Sequence, residues 1–155
     1  MKRRNSGVIK LKKTTVLFLC THNSARSQIA EALMNTMFSE HYDAASAGME
    51  ATRVNPYVLK IMEEMGIDMS HARSKTISEF RNTQFDYVVT VCDYAKEICP
   101  FYPGDTILHQ QFPDPSQFTG DDDEILEKVR AVRDQIHQWL IETFKTGKDN
   151  HDQCK

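Results

Sequence analysis

The stretch VLFLCTHNSARS, residues 16–27, joins an apolar run to a short polar loop and is the strongest indication of the fold. Val16 to Leu19 is typical of a buried strand, and Cys20 stands where that strand ends. The loop has the pattern C-x-x-x-x-x-R and ends at Arg26, where a helical pattern begins. Backbone N–H groups of such a loop point toward a tetrahedral oxyanion, and the arginine holds two of its oxygens. The same positive field favours the Cys20 thiolate, so the stretch predicts an enzyme acting on phosphate or a similar anion.

The composition predicts one soluble domain. The chain has 155 residues, of which 40% are hydrophobic and 26% charged, with a net charge of -3 that gives no reason to expect nucleic-acid binding. Val16 to Leu19 is too short for a signal-peptide core or a membrane span, so we expect a cytoplasmic protein without a membrane partner. We predict a flexible basic arm at 1–13, a domain at 14–145 and a flexible polar tail at 146–155.

Apolar runs and helical patterns alternate along the chain, which predicts an α/β fold with a parallel sheet. One helix follows the Cys20 loop, a second begins after Asn55 and ends before Gly66, and the last runs from about Asp122 to Phe144. In an open sheet of this kind, ligands bind at the carboxyl ends of the strands. The predicted strands are Thr14–Leu19, Tyr42–Ala47, Phe85–Val91 and Thr106–Gln110.

Two further cysteines follow the third predicted strand. If that strand lies beside the Cys20 strand, their backbones are about 4.8 Å apart. Disulfides need Cα atoms about 4.4–6.8 Å apart, so a bridge between Cys20 and Cys92 is reachable. Seven residues of helix would span about 10.5 Å, so bridging Cys92 to Cys99 requires the segment between them to unwind. A relay of three thiols is the resulting hypothesis.

Other interpretations of the cysteines stay open. Cys92 would serve as a small hydrophobic core residue if it took no part in chemistry, and Cys154 in the tail is interpreted as an incidental thiol. There is no C-x-x-C pair, and the six histidines do not cluster near a cysteine, so we expect no bound metal.

At these residues the chain resembles the thioredoxin-coupled arsenate reductases, which share the fold of the low-molecular-weight protein tyrosine phosphatases. The resemblance runs from about Thr14 to Phe144. It rests on Val16–Thr21, Asn23-Ser24, Arg26-Ser27-Gln28, Ser46-Ala47-Gly48, Asn55-Pro56, Gly66-Ile67-Asp68, Cys92-x6-Cys99-Pro100 and Phe112-Pro113-Asp114-Pro115. It implies a single three-layer domain with a four-stranded parallel sheet in the order 2-1-3-4, flanked by helices on both faces.

The resemblance also implies a reaction. Arsenate, with phosphate and sulfate as analogues, would bind the loop residues Thr21, His22, Asn23, Ser24, Ala25, Arg26 and Ser27. Cys20 would attack arsenic while Asp114 protonates the leaving oxygen. A Cys20–Cys92 disulfide would then form and pass to Cys92–Cys99. Thioredoxin would be the external electron donor to a monomeric enzyme that binds no cofactor.

Four departures from the family pattern change what we expect. His22 replaces a usual glycine, Ala25 replaces a frequent cysteine, and no tryptophan lies near Asp114. Lys75 stands where some members carry an aspartate that helps to hold a potassium ion. This substitution argues against a bound potassium ion here, and we expect Lys75 to supply the positive charge instead.

Two other functions compete with arsenate reduction. A low-molecular-weight phosphatase would hydrolyse phosphotyrosine or small phosphoesters through a Cys20 phosphoenzyme, because arsenate and phosphate are nearly isosteric. A thiol redox sensor would use the three cysteines but leave Arg26 and Asp114 without a role. Glutaredoxin or another low-molecular-weight thiol stays open as the reductant, although the Cys92/Cys99 pair favours thioredoxin.

Overall fold

A four-stranded parallel sheet forms the centre of the fold, with the strand order β2-β1-β3-β4. This order confirms the expected 2-1-3-4 arrangement. The computed structural model describes residues 12–94 and 97–144. Its elements are β1 (Thr14–Cys20), α1 (Arg26–Met37), β2 (Tyr42–Gly48), α2 (Pro56–Glu63), β3 (Tyr87–Thr90), β4 (Thr106–His109) and α3 (Asp122–Thr143), with 3₁₀ turns at Ile77–Phe80 and Pro115–Gln117.

Parts of the predicted terminal segments lie outside these residues. They include all of the basic arm except Lys12 and Lys13, the whole polar tail and Cys154. Within the described residues, no helix is long and apolar enough to cross a membrane.

Both faces of the sheet are covered. Side chains alternate across a strand, so Val16 and Phe18 of β1 face one side while Leu17 and Leu19 face the other. The first side packs against residues of all three α-helices, such as Ile29, Ile61 and Ile136. The second side is covered by the short 3₁₀ turn Ile77–Phe80 and by Tyr102, in place of a longer helix. The three-layer architecture is therefore confirmed, and the layer on the second face of the sheet is thin.

The third strand is shorter than the sequence predicted. The expected range was Phe85–Val91, and the structure has Tyr87–Thr90. At its start, the Asp86 carboxylate accepts a hydrogen bond from Thr15 N at 2.9 Å. A side-chain acceptor therefore replaces the backbone carbonyl that would bond to Thr15 N in a regular sheet. At its end, Val91 N still donates to Leu19 O at 2.9 Å. Cys92 therefore lies two residues past the strand rather than closing it.

The helix ends follow the sequence signals. Asn55 is the N-cap of α2 and accepts a hydrogen bond from Tyr57 N at 2.8 Å. Gly66 follows that helix with a φ of +75°, the left-handed region that favours glycine. Asp121 and Glu124 form a reciprocal capping box at the start of α3.

Candidate oxyanion and thiol site

The loop between β1 and α1 lies at the carboxyl end of the sheet and is built on Gly48 of β2. Gly48 pairs with Cys20 in the parallel register. A Cβ at Gly48 would lie 2.7 Å from Asn23 N and 2.8 Å from Thr21 O, so only glycine allows this close approach. Asn23 itself has a φ of 52°. The sequence thus supplies the glycine and the asparagine that the loop geometry requires.

Behind the loop, a chain of hydrogen bonds holds the nucleophile. Ser27 Oγ lies 2.8 Å from Cys20 Sγ, and Asn23 Nδ2 donates to Ser27 Oγ at 2.8 Å. Asn23 Nδ2 also donates to Ser46 Oγ at 2.9 Å. Cys20 and these three polar residues are almost completely buried. Ser27 and Asn23 therefore orient the thiol from behind and do not line the open side of the loop.

The hydrogen-bond network behind the loop extends through Ser46 and Glu31 to Lys75. Ser46 Oγ donates to Glu31 Oε1 at 2.5 Å, and Lys75 Nζ lies 3.8 Å from the same oxygen. Lys75 N donates to Asn23 Oδ1 at 2.9 Å, so the residue contacts the loop through its backbone as well. A positive charge therefore sits at the far end of the network. Among the described residues, there is no cluster of His, Cys, Asp and Glu that could hold a metal ion.

Arg26 is buried and makes its strongest contact with a residue that sequence reasoning did not select. Its Nη1 donates to Glu97 Oε2 at 2.7 Å and its Nη2 to Glu97 Oε1 at 2.8 Å. Asp114 Oδ2 lies 3.6 Å from Nη2. Burial disfavours the charge, but the hydrogen bonds to Glu97 and the nearby charges of Cys20 and Asp114 raise the pKa of Arg26 above its ordinary value.

Three residues donate hydrogen bonds to the Glu97 carboxylate. Besides Arg26, Thr21 Oγ1 donates to Oε1 at 2.7 Å and Asp93 N donates to Oε2 at 2.9 Å. Burial raises the pKa of Glu97, but these hydrogen bonds and the Arg26 charge outweigh it and lower the pKa to about 2. No sequence signal selects Glu97 beyond its place between Cys92 and Cys99.

A cavity of about 180 Å³ opens on the front of the loop. The predicted site residues that line it are Cys20, His22, Ser24, Ala25, Arg26 and Asp114. Three further residues line it that sequence reasoning missed, namely Thr52, Asn55 and Ser116. Thr21 does not line it, because its hydroxyl donates to Glu97. His22 lies 3.7 Å from Glu50, at the exposed rim.

Asp114 begins the 3₁₀ turn beside this cavity. Its Oδ1 accepts hydrogen bonds from Ser116 N at 3.0 Å and Ser116 Oγ at 2.9 Å. These bonds fix one carboxylate oxygen and leave Oδ2 directed toward Arg26. The arrangement suits a proton donor beside the nucleophile.

The second and third cysteines form a disulfide. The Cα atoms of Cys92 and Cys99 are 5.9 Å apart, whereas a helix between them would need about 10.5 Å. The described residues between them form no helix, only a turn in which Glu97 N donates to Asp93 O at 2.9 Å. Cys92 Sγ also lies 3.9 Å from the carbonyl oxygen of Leu19, the residue before Cys20. Cys92 therefore lies close to the end of β1, where Cys20 is.

The outer part of this segment is exposed and anchored on β4. The Tyr94 ring stacks on His109 with centroids 4.2 Å apart, and Tyr94 Oη lies 2.8 Å from Thr90 Oγ1. Ile98 and Phe101, which flank Cys99, are each 71% exposed. A partner protein can therefore approach Cys99 across an apolar surface, although Cys92 is fully buried.

Comparisons with known proteins agree with this geometry. The family model for low molecular weight phosphotyrosine protein phosphatase matches residues 15–150. The arsenate reductase of Halalkalibacterium halodurans is 40% identical over 139 residues, which are 89% of this chain and 100% of that protein.

Solved structures show the same relationship. An arsenate reductase in the phosphate binding state aligns with a TM-score of 0.70 and 31% identity, over 83% of this chain and 95% of that one. The thioredoxin-dependent arsenate reductase of Corynebacterium glutamicum aligns with a TM-score of 0.57 and 30% identity, over 86% of this chain and 65% of that one. The chain therefore belongs to the family of the low molecular weight phosphotyrosine protein phosphatases and the arsenate reductases that share their fold.

Proposed function

We propose that this protein is an arsenate reductase that uses Cys20, Cys92 and Cys99 in sequence and is recycled by thioredoxin. One observation carries the proposal: Cys20 is a free thiol inside an anion-binding loop, while Cys92, just past the neighbouring strand, is bridged to Cys99. Phosphoester hydrolysis needs the first of these features and not the second. The arsenate reductase relatives, at about 40% identity, support the same choice.

In the first step the loop binds arsenate. Backbone N–H groups at the start of α1 and the Arg26 guanidinium neutralise the charge of the anion. The Cys20 thiolate attacks arsenic and an As–S bond forms. Asp114 protonates an arsenate oxygen, which leaves as water. Ser27 and Asn23 hold the sulfur in place during this attack.

In the second step the arsenic is reduced. Cys92, as a thiolate, attacks Cys20 Sγ, an S–S bond forms and the S–As bond breaks. The electron pair of the broken bond stays on arsenic, which departs as arsenite. Cys99, as a thiolate, then attacks Cys92 Sγ and releases the Cys20 thiolate, so the disulfide moves outward from the site.

In the last step thioredoxin reduces the Cys92–Cys99 bridge. A dithiol reductant must reach a sulfur of the bridge, and Cys99 is the more exposed of the two cysteines. Ile98 and Phe101 provide apolar surface for that contact. The Corynebacterium glutamicum neighbour is thioredoxin-dependent, which supports this reductant over glutaredoxin.

The test is arsenate-dependent NADPH oxidation in the presence of thioredoxin and thioredoxin reductase. We expect turnover by the wild type and none by Cys92→Ser or Cys99→Ser. Cys154→Ser is the matched control, because it removes a thiol that has no role in the relay, and it keeps full activity.

A phosphatase would give the opposite pattern. It would show no arsenate-dependent NADPH oxidation, and its hydrolysis of p-nitrophenyl phosphate would survive both substitutions. Replacing thioredoxin and its reductase with glutaredoxin, glutathione and glutathione reductase in the same assay decides the reductant.

A further inference from the structure

The contact between Glu97 and Arg26 has the geometry of a bound oxyanion. Both carboxylate oxygens accept from Arg26, at 2.7 and 2.8 Å, in the parallel two-bond arrangement that arginine makes with two oxygens of arsenate or phosphate. Thr21, a residue of the anion loop, donates to the same carboxylate at 2.7 Å. Glu97 thus occupies donors that an oxyanion in the loop needs.

The contact is shielded from water and charged on both sides. The side chain of Arg26 is 4% exposed and that of Glu97 is 12% exposed. The hydrogen bonds and the Arg26 charge that lower the pKa of Glu97 to about 2 favour the ionised carboxylate. An incoming oxyanion must displace this carboxylate before Arg26 can bind it.

Glu97 belongs to the segment that the disulfide constrains. Glu97 lies inside the ring that the Cys92–Cys99 bridge closes. Within that ring, Asp93 N donates a hydrogen bond to Glu97 Oε2 at 2.9 Å. In a helix the same segment would separate the two cysteine Cα atoms by about 10.5 Å instead of 5.9 Å. A rearrangement of that size moves Glu97 relative to Arg26, which is fixed at the start of α1.

We propose that Glu97 is an internal competitor of the oxyanion: in the bridged state its carboxylate occupies Arg26, and the site opens when the bridge is reduced. The proposal rests on the thiol relay above. The bridged enzyme would then bind substrate weakly in the state that cannot turn over, because Cys92 is bonded to Cys99 and cannot attack Cys20. Because coupling between two sites is reciprocal, a bridge that weakens oxyanion binding is in turn made less stable by a bound oxyanion.

The test measures the Kd of inorganic phosphate by calorimetry, on fully reduced and fully bridged protein. A Cys154→Ser background prevents stray disulfides, and mass spectrometry of the peptides verifies the Cys92–Cys99 pairing. Charge-assisted hydrogen bonds set the expected size, so we expect phosphate to bind the bridged wild type about tenfold or more weakly than the reduced wild type. Glu97→Gln and Glu97→Ala should remove most of this difference by tightening binding to the bridged protein.

Glu50→Gln is the matched control, because it removes one carboxylate near the loop without contacting Arg26. It should keep the full difference between the two redox states. Equal phosphate affinity in both states of the wild type would overturn the proposal. So would a difference that Glu97→Ala leaves intact, because the bridge would then act through the loop itself. Neither readout needs turnover, so a failure of arsenate reduction and a failure of the Glu97 proposal give different results.

Discussion

The loop Cys20–Ser27 and the segment Cys92–Cys99 meet at Arg26, yet they are held in opposite ways. Most of the loop is buried, and its polar groups bond to residues of the sheet and of α1, such as Ser46. The segment turns Tyr94 and Ile98 outward. Its described contacts with the rest of the protein centre on Glu97, which binds Arg26 and Thr21, and on Tyr94, which stacks on His109.

The difference reflects two tasks. An anion loop works best when its donors are fixed before the substrate arrives, because no reorganisation is then needed. A disulfide that a second protein must reduce has to be reachable, and its two cysteines must be able to separate and meet. One region is therefore pre-organised, while the other is built from contacts that can be exchanged.

The largest effect is expected from breaking the support of the loop with Gly48→Ala. The new methyl group would lie less than 3 Å from backbone atoms of Thr21, His22 and Asn23, which cannot move aside independently. Misplacement of about 1 Å costs about 100-fold in rate, so arsenate kcat/KM should fall by about that factor.

Gly66→Ala is the control for that substitution. No atom lies within 4 Å of the added methyl group, but the φ of +75° remains strained. It should lower the free energy of unfolding by about 1 kcal/mol and leave kcat/KM unchanged. Equal activity losses in the two variants would show that Gly48 matters only for stability.

Arg26→Lys should give the next largest effect. Lysine keeps the charge but cannot make two parallel hydrogen bonds to one anion. The phosphate Kd of the reduced protein should rise about tenfold or more, since each charge-assisted bond contributes about 1.5–3 kcal/mol. Calorimetry measures this, and an unchanged Kd would mean that backbone N–H groups alone bind the anion.

Tyr94→Ala should change the segment and leave the loop intact. It removes the ring stacked on His109, and an aromatic pair contributes about 0.5–1.5 kcal/mol. The Cys92–Cys99 bridge should become up to about tenfold easier to reduce in equilibrium with dithiothreitol. Tyr94→Phe keeps the stack and should retain most of the bridge stability. A change in phosphate affinity of the reduced protein would contradict this separation of the two regions.

The smallest effect is expected away from both regions, at Glu64. This carboxylate accepts from Arg130 and Arg133, and the bond from Arg130 is the main cause that lowers its pKa to about 2. Because its pKa in the folded state is depressed from 4.5, the stabilisation is present above pH 4.5 and is lost as the pH falls toward 2.

The pair is well exposed to solvent, so Glu64→Gln should cost less than about 1 kcal/mol at neutral pH. Urea titrations at several pH values check this prediction. The difference between variant and wild type should shrink in acid, and a growing difference would contradict the assigned sign.

Local signals predicted the elements and part of the site. Asn55 and Gly66 mark the two ends of α2 within a few residues, so these helix ends could be predicted from the sequence. The loop from Cys20 to Arg26 was readable because strand, turn and helix follow one another directly. The domain limits and a monomeric state stay predictions.

Glu97 was not readable, because its role depends on a contact between residues 71 positions apart. In the structure that contact is made by a segment that the Cys92–Cys99 bridge closes into a ring. The start of β3 was predicted too early for a related reason, since the Asp86 side chain accepts a hydrogen bond from Thr15 of the neighbouring strand β1. In both cases a side chain far away in the sequence decides the local structure.

The most direct test of the relay is a single turnover without thioredoxin, with fully reduced protein in excess over arsenate. Arsenite and the cysteine pairing are measured together, the latter by alkylation and peptide mass spectrometry. We expect one arsenite per newly formed disulfide, with Cys92–Cys99 in the wild type and Cys20–Cys92 trapped in Cys99→Ser. Arsenite formed without any disulfide at Cys92, or a wild type that forms no arsenite, would contradict it.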